Sequence, residues 1–541
     1  MSDNLSPSES AVIQRKVAIA ACFGVFLEWY DFLTFASLAT YFSTLFFPQD
    51  NPVVALLASL ATFGVGMLVR PLGAALFGTM GDKYGRRPVF IATIVLMGMA
   101  TFCVGLLPTY AQVGMLAPAL LLVLRLLQGF AVGGEIGGSA VYLTEHAPIG
   151  KRGLYTSVLQ LMGPLGILVS TFQIVLLQSL LSVDDFQAWG WRVPFLLSIV
   201  LLLISLKSRV NMYESPVFIH LREKHALAKA PLRECLSDPH TLGRMALLFF
   251  CISAGGSLLF FSSQVYVNVY LKNVVRLDAQ LAGTLVMLST LLLFPLTIFF
   301  GWLSDRVGRR PVLLAGLLLG CMVIFPVFKG LMHYGNPALE RFNREVPVAL
   351  YGEACSYDPF TKTSNDCERN QELLAKLGVS YTLFPATNSA RNTEQPSNGT
   401  LLRIGQSKVT GFQPAAITQA LKAEGWTEHA DATQINKIMI FLLLLILLIA
   451  VGLITGPQTA TLAELFPART RYTAVALPHN LSAGWIGGLS PFMITLLSVK
   501  AGDPISGLWY PVGLLTLAFV IGFIFLPETR NASLEDANFV E

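Results

Sequence analysis

The sequence predicts an all-α polytopic membrane protein with twelve transmembrane helices in two six-helix repeats. Two observations carry this prediction: the length of its apolar runs, and motifs that recur in order in the second half. The chain has 541 residues, 54% of them hydrophobic and only 13% charged. Its apolar runs are long enough to cross a hydrocarbon core of ~30 Å, and they are too long for β-barrel strands. Backbone polar groups in lipid must pair within the segment, so such runs are read as helices.

Hydropathy places the spans near 17–46, 53–79, 88–107, 113–144, 155–181, 189–208, 242–271, 279–300, 311–332, 438–462, 472–498 and 506–526. Pro and Gly inside several of them are compatible with membrane helices. Met1 to Ser10 is polar and carries no cleavable signal pattern, so the first span is expected to direct insertion itself.

Basic residues orient the spans. With the N-terminus in the cytoplasm, loops and ends on that side carry twenty Lys and Arg, and the short loops opposite carry four. Both termini are therefore expected in the cytoplasm, in a multi-pass plasma membrane protein of the bacterial inner-membrane kind. The net charge of +4 follows from this topology and gives no reason to expect nucleic acid. The expected partners are the lipid bilayer, protons and a small solute, with the chain acting as a monomer.

The repeat is internal. Gly81-Asp-Lys-Tyr-Gly-Arg-Arg-Pro-Val-Phe90 recurs as Ser304-Asp-Arg-Val-Gly-Arg-Arg-Pro-Val-Leu313, offset by 223. Glu145-x-x-Pro148 with Arg152 recurs as Glu464-x-x-Pro467 with Arg471, offset by 319, and Glu214 recurs as Glu528, offset by 314. The jump in offset places an insert between spans 9 and 10. The chain then divides into a first half (1–208), a cytoplasmic linker (209–241), spans 7 to 9 (242–333), an insert (334–437), and spans 10 to 12 with the tail (438–541). The linker reads as a short amphipathic helix. Two six-helix units in one orientation suit alternating access around a central site.

The topology puts the insert outside the cytoplasm. Its Cys355 and Cys367, twelve apart, form either a disulfide in an oxidising compartment or two free thiols. Arg391 to Thr400 is rich in Asn, Thr and Ser and reads as a flexible loop, and Asn398-Gly-Thr400 has the form of a glycosylation sequon.

Charges within the spans are costly and point to function. At ~1.5 Å per residue, Asp31 lies at mid-depth in span 1, with Glu28 one turn toward the cytoplasm. Arg125 lies about 5 Å to the outer side of the middle of span 4, which makes it a partner for Asp31. Arg70 and Glu135 fall within about 4 Å of each other in depth, which suggests a second pair. Asp31 is the first candidate for a coupled proton, tuned by Arg125, with Glu28 and Glu135 as rival carriers. The bland alternative for Asp31–Arg125 is a permanent pair that fastens two helices. Arg125 alternatively grips an anionic solute itself, since its planar fork suits carboxylates. Tyr30, Gln128, Gln160, Tyr266 and Asn480 are candidates for the cavity wall, with helix packing the alternative for the tyrosines. His479 reads as a packed or hydrogen-bonded residue.

The two Asp-x-x-Gly-Arg-Arg loops, Arg125-x-x-Gln-Gly129 and Glu528-Thr-Arg resemble the major facilitator superfamily. Glu28-Trp-Tyr-Asp-Phe32, Arg70-Pro-Leu-Gly73, Glu135-x-Gly-Gly138, Glu214-Ser-Pro-Val-Phe218 and Arg471-Tyr-Thr473 resemble its metabolite:proton symporter branch more closely. That branch includes transporters of proline and betaine, α-ketoglutarate, shikimate and citrate. The resemblance covers nearly the whole chain except the insert, which departs from the short loop usual there. It implies proton-coupled uptake of a small organic acid or zwitterion, with no cofactor beyond the proton gradient. It also implies that Asp82, Arg86 and Arg87, with Asp305, Arg309 and Arg310, latch the halves on the cytoplasmic side. Span 5 keeps Gly163-Pro164-x-Gly166 but has Leu159 and Ile167 where drug antiporters carry glycine, which favours symport over efflux. A passive channel and a membrane sensor are the competing classes. No metal-ligand, Ser/His/Asp or phosphate-loop constellation points to an enzyme.

Overall fold

A computed structural model describes residues 7–48, 52–210, 213–352, 355, 365–385 and 400–534. Twelve long helices run through it. The first six are α1 (Pro7–Phe46), α2 (Pro52–Tyr84), α3 (Arg86–Leu106), α4 (Leu116–His146), α5 (Arg152–Leu180) and α6 (Arg192–Val210). The second six are α7 (Pro239–Val274), α8 (Ala279–Val307), α9 (Arg309–Gly335), α10 (Lys437–Glu464), α11 (Arg471–Ala501) and α12 (Ser506–Phe525). Several exceed their hydropathic spans, because hydropathy marks only the apolar middle and a helix continues into water until it is capped. The helix α1 begins ten residues before its apolar run.

Three π segments, at Leu248–Ser253, Phe261–Tyr266 and Tyr270–Val274, interrupt α7, and another, Ser482–Gly487, interrupts α11. Such segments are concentrated at functional sites in membrane and soluble helices alike. The linker forms two short helices, Pro216–Glu223 and Pro231–Ser237, each opened by a proline in its first turn.

Glycines set the tightest helix pair. A Cβ on Gly129 of α4 would lie 2.0 Å from the Gly66 carbonyl oxygen, and one on Gly133 would lie 2.2 Å from that of Arg70. The backbones of α2 and α4 therefore touch, as small residues permit in membranes.

The insert adds a small α/β unit to the helical bundle. Its sheet has strands β1 (Val348–Gly352), β2 (Thr382–Pro385), β3 (Leu401–Ile404) and β4 (Ser407–Thr410), in the order β2-β1-β3-β4. β1 and β2 are parallel and are connected through the helix Asp366–Lys376, while β3 and β4 form a hairpin. Cys355 and Cys367 are disulfide-bonded, tying the residues after β1 to the start of that helix. The insert's core residues Leu350, Leu374, Leu402 and Trp426 are continuous with the core of the second half. Tyr381 N donates to the Gly502 carbonyl at the end of α11 (2.8 Å), and Asn336 Nδ2 donates to the Val275 carbonyl after α7 (2.9 Å). Residues 386–399, including Asn398 of the sequon and most of the Arg391–Thr400 stretch, lie outside the described residues.

Candidate functional site

Two buried ion pairs stand one turn apart on α1. Arg125 Nη1 donates to Asp31 Oδ2 at 3.2 Å. Gln128, one turn along α4 from Arg125, donates through Nε2 to Asp31 Oδ1 and to Thr101 Oγ1, both at 2.9 Å. The Arg125 guanidinium lies 3.5 Å from the Phe35 ring centroid. Its Nε and Nη2 nevertheless have no hydrogen-bond partner. Glu28 sits beside Arg70, with Oε1 3.3 Å from Arg70 Nη2, and neither Glu28 oxygen accepts a hydrogen bond. Buried pairs left this incompletely satisfied are poor sources of stability. In a membrane protein they mark a functional layer.

The structure corrects the expected pairing of Arg70 with Glu135. Glu135 binds Arg209 of α6 instead: both Arg209 Nη atoms donate to its carboxylate, one at 3.0 Å, and Thr93 Oγ1 adds a third bond at 2.9 Å. Depth along a helix fixes only one coordinate, and Arg70 faces α1 rather than Glu135. Arg209 sits at the end of α6, where a basic residue reads as a topology signal. In the structure a Cβ on Gly24 would lie 1.7 Å from Arg209 Nη2, so Gly24 leaves room for this guanidinium.

A cavity of about 70 Å³ lies between the halves. Trp29, Arg70 and Gln160 line it from the first half, and Ser257, Gln458 and His479 from the second. Trp29 meets Phe260 across it, with ring centroids 5.4 Å apart. Gln160 Nε2 donates to Thr459 Oγ1 across the same interface at 2.9 Å. The volume is far below the ~300 Å³ at which small-molecule pockets begin, so the halves must part to admit a solute.

Of the predicted wall residues, only Gln160 lines this cavity. Tyr30 is packed inside the first half, its hydroxyl bonded to Gln173 and to the Pro194 carbonyl (2.8 Å). Gln128 belongs to the Asp31 layer. Tyr266 packs against Phe328 and Tyr270 inside the second half. Asn480 bridges the halves by donating to the Gly133 carbonyl at 2.9 Å. A polar atom on a membrane helix signals a partner, and for these four the partner is protein. His479 is hydrogen-bonded to Ser253 (2.8 Å) and also faces the cavity. Trp29, Ser257 and Gln458 were missed: Trp29 entered only as part of the Glu28–Phe32 motif, and the other two are single polar residues in apolar runs.

At the linker end the halves are closed by two matching layers. Asp82 accepts from Tyr472 N (3.1 Å) and Thr473 N (2.9 Å) at the start of α11. Asp305 accepts from Gly153 N and Leu154 N, both 2.8 Å, at the start of α5. Carboxylates are favourable at helix N-termini, where amides are unpaired and the dipole is positive. Beside each aspartate a glutamate is held between two arginines. Glu145 accepts from Arg86 (3.2 Å) and Arg471 (2.9 Å). Glu464 accepts from Arg309 (3.3 Å) and pairs with Arg152 (3.7 Å). Arg87 and Arg310 do not cross the interface, contrary to the latch reading. Arg87 is exposed and Arg310 half-buried, and each donates to a carbonyl of its own half, Val210 and Phe523 respectively, both at 2.6 Å.

Glu214 and Glu528 complete the duplication. Glu214 accepts from the amides of Arg86 (3.0 Å) and Arg87 (3.2 Å), and Glu528 from those of Arg309 (2.8 Å) and Arg310 (3.2 Å). Gly85 and Gly308 have φ of +109° and +116°, and a Cβ on either would meet the capping glutamate at 2.4 Å. The chain after α12 lies across both layers. Thr529 Oγ1 donates to Glu464 (2.8 Å), the Ala532 carbonyl accepts from Arg152 (2.9 Å), and that of Leu534 accepts from Arg471.

Two six-helix halves around a central cavity, latched at one end, define a membrane transporter of the major facilitator fold. Residues 17–242 and 410–540 match the family model described as "Sugar (and other) transporter", and the chain belongs to that family, within the major facilitator superfamily. It is 30% identical over 522 residues to the inner membrane metabolite transport protein YhjE of Escherichia coli, covering 96% of each. It is 39% identical to the shikimate transporter of Escherichia coli over 59% of this chain and 72% of that one. To the proline/betaine transporter of Salmonella typhimurium it is 33% identical over 58% and 64%. The fold matches that of the proton:xylose symporter XylE bound to 6-bromo-6-deoxy-D-glucose, with a TM-score of 0.62 at 16% identity over 98% and 99% of the chains. The protein is a multi-pass membrane transporter and not an enzyme.

Proposed function

We propose that this chain takes up a small organic acid or zwitterion together with protons, by alternating access, across the bacterial inner membrane. The termini and latches lie in the cytoplasm, following the basic-residue bias, and the insert lies outside. The observation that carries the reading is the Asp31–Arg125–Gln128 and Glu28–Arg70 layer, which adjoins a cavity shared by both halves. Its carboxylates are buried and can exchange a cation partner for a proton. A carboxylate that loses its guanidinium in a low-dielectric layer is an uncompensated charge, and protonation removes that cost. Binding at the cavity and protonation of the layer then favour each other, since coupling between sites is reciprocal. The latched linker end and the small cavity speak for gated transport over a passive channel. The proton gradient is the only energy source required, and one chain holds the whole pathway.

Reconstitution in proteoliposomes tests this. Shikimate, proline, glycine betaine and xylose are offered with an inward proton gradient. At least one should accumulate above equilibrium, and a protonophore should collapse the gradient-driven part. Uptake that stops at equilibrium for every probe, or that ignores the protonophore, overturns proton coupling.

A further inference from the structure

Arg70 belongs to two sites at once. It lines the cavity between the halves, and it lines the pocket that holds Glu28, Asp31 and Arg125. Arg125 lines only the second. A solute in the cavity therefore meets Arg70 first.

The pairs also differ in how firmly they are made. Asp31 accepts hydrogen bonds from Arg125 and Gln128. Glu135 accepts from Arg209 and Thr93. Glu28 is close to Arg70 but accepts no hydrogen bond, and Arg70 Nε donates none. Of Glu28, Asp31 and Glu135, the buried carboxylates of this half away from the latch layers, Glu28 is the one that gives up its cation with the fewest bonds broken.

We infer that Arg70 is the anchor for the carboxylate of the transported solute, and that Glu28 holds Arg70 in the empty carrier and takes up the coupled proton when the solute claims it. This rests on the symport reading above. Charge balance gives it a definite form. Glu28, Asp31, Arg70 and Arg125 together are neutral. A monocarboxylate entering this layer adds one negative charge, and one proton from the water on the open side restores neutrality. The Arg70–Glu28 contact is replaced by Arg70–carboxylate, and Glu28 becomes the neutral acid. Besides Arg70, the charged groups facing Glu28 are Asp31 and Glu135. The ionisable groups facing Arg70 are Glu28 and, from the other half, His479. A zwitterion carries its own cation and makes no such demand, so the inference assigns the site to monocarboxylates.

The test uses full-length protein with shikimate as the charged probe and xylose as the uncharged one. In weakly buffered detergent solution with a pH indicator, wild type should take up roughly one proton per shikimate bound, and none with xylose. Glu28→Gln should abolish this proton uptake, and its shikimate counterflow should lose its pH dependence. Arg70→Gln should raise KM for shikimate at least about tenfold, with Arg70→Lys in between. Asp31→Asn, with Glu28 intact, should still take up the proton if it folds. The Glu28→Gln/Arg70→Gln double variant removes the pair as a unit and controls for folding, by thermal melting. Proton uptake persisting in Glu28→Gln, an unchanged KM in Arg70→Gln, or transport confined to xylose overturns the inference while transport itself stands. If wild type accumulates no probe, the symport reading falls and this inference falls with it.

Discussion

The latch layers and the buried charge layer obey opposite rules. At the linker end four devices occur twice: Asp82 and Asp305, Glu145 and Glu464, Glu214 and Glu528, Gly85 and Gly308. Deeper in, the duplication stops. Glu28, Asp31, Arg70, Arg125, Glu135 and Arg209 all belong to the first half. The second half faces the cavity with Ser257, Thr455, Gln458 and His479. Closing two rigid bodies against each other needs matched contacts on both, and a repeat supplies them. Binding an asymmetric solute and a proton needs different chemistry on the two sides, and there the repeat has been abandoned.

The comparison can be broken most directly at the glutamates. Glu145→Gln leaves Arg86 and Arg471 buried without their shared anion, and Glu464→Gln does the same to Arg309 and Arg152. Each should destabilise the latched state by about 3–5 kcal/mol. Thermal melting and cross-linking of cysteines placed across the linker end would read this, and a silent partner in either half would show that the layers are not equivalent.

Reducing the insert's disulfide comes next. Cys355→Ser with Cys367→Ser releases a twelve-residue separation and should cost the insert about 3 kcal/mol. Proteolysis of the insert should quicken while melting of the first half stays unchanged, because the insert's core is continuous with the second half. Gly85→Ala and Gly308→Ala should each cost about 1–3 kcal/mol, from a positive φ and a clash with the capping glutamate. Equal losses sharpen the duplication. The smallest effect is expected at Asp82→Asn and Asp305→Asn, which keep the side-chain shape but remove the charge and replace one accepting oxygen with an NH2 that cannot accept from the helix amide it faces, at about 1–1.5 kcal/mol each. Their readout is a raised accessibility of linker-end cysteines, with little change in melting.

The same contrast explains what was legible in the sequence. The spans were visible as apolar length, and the latch glutamates and aspartates as repeated spacing. Asp31 with Arg125 followed from depth, because both sit near mid-membrane and α1 and α4 are neighbours. Arg70 with Glu135 failed on the same reasoning, since depth leaves the facing direction open and Arg209 looked like a topology charge. Tyr30 and Tyr266 were polar atoms with protein partners rather than cavity walls. The cavity itself is formed by two halves that no local pattern relates, so Trp29 and Gln458 carried no signal of meeting there.

The chain after α12 has a practical consequence for anyone handling the protein. Its Ala532 and Leu534 carbonyls are the acceptors for Arg152 and Arg471, one arginine from each half. An affinity tag or fluorescent reporter fused at residue 530 would strip both acceptors away. Purified material would then show a looser closed gate than the native chain, and kinetic constants measured on it would describe the tag as much as the carrier. A fusion placed after Leu534 with a polar spacer leaves the clasp in place.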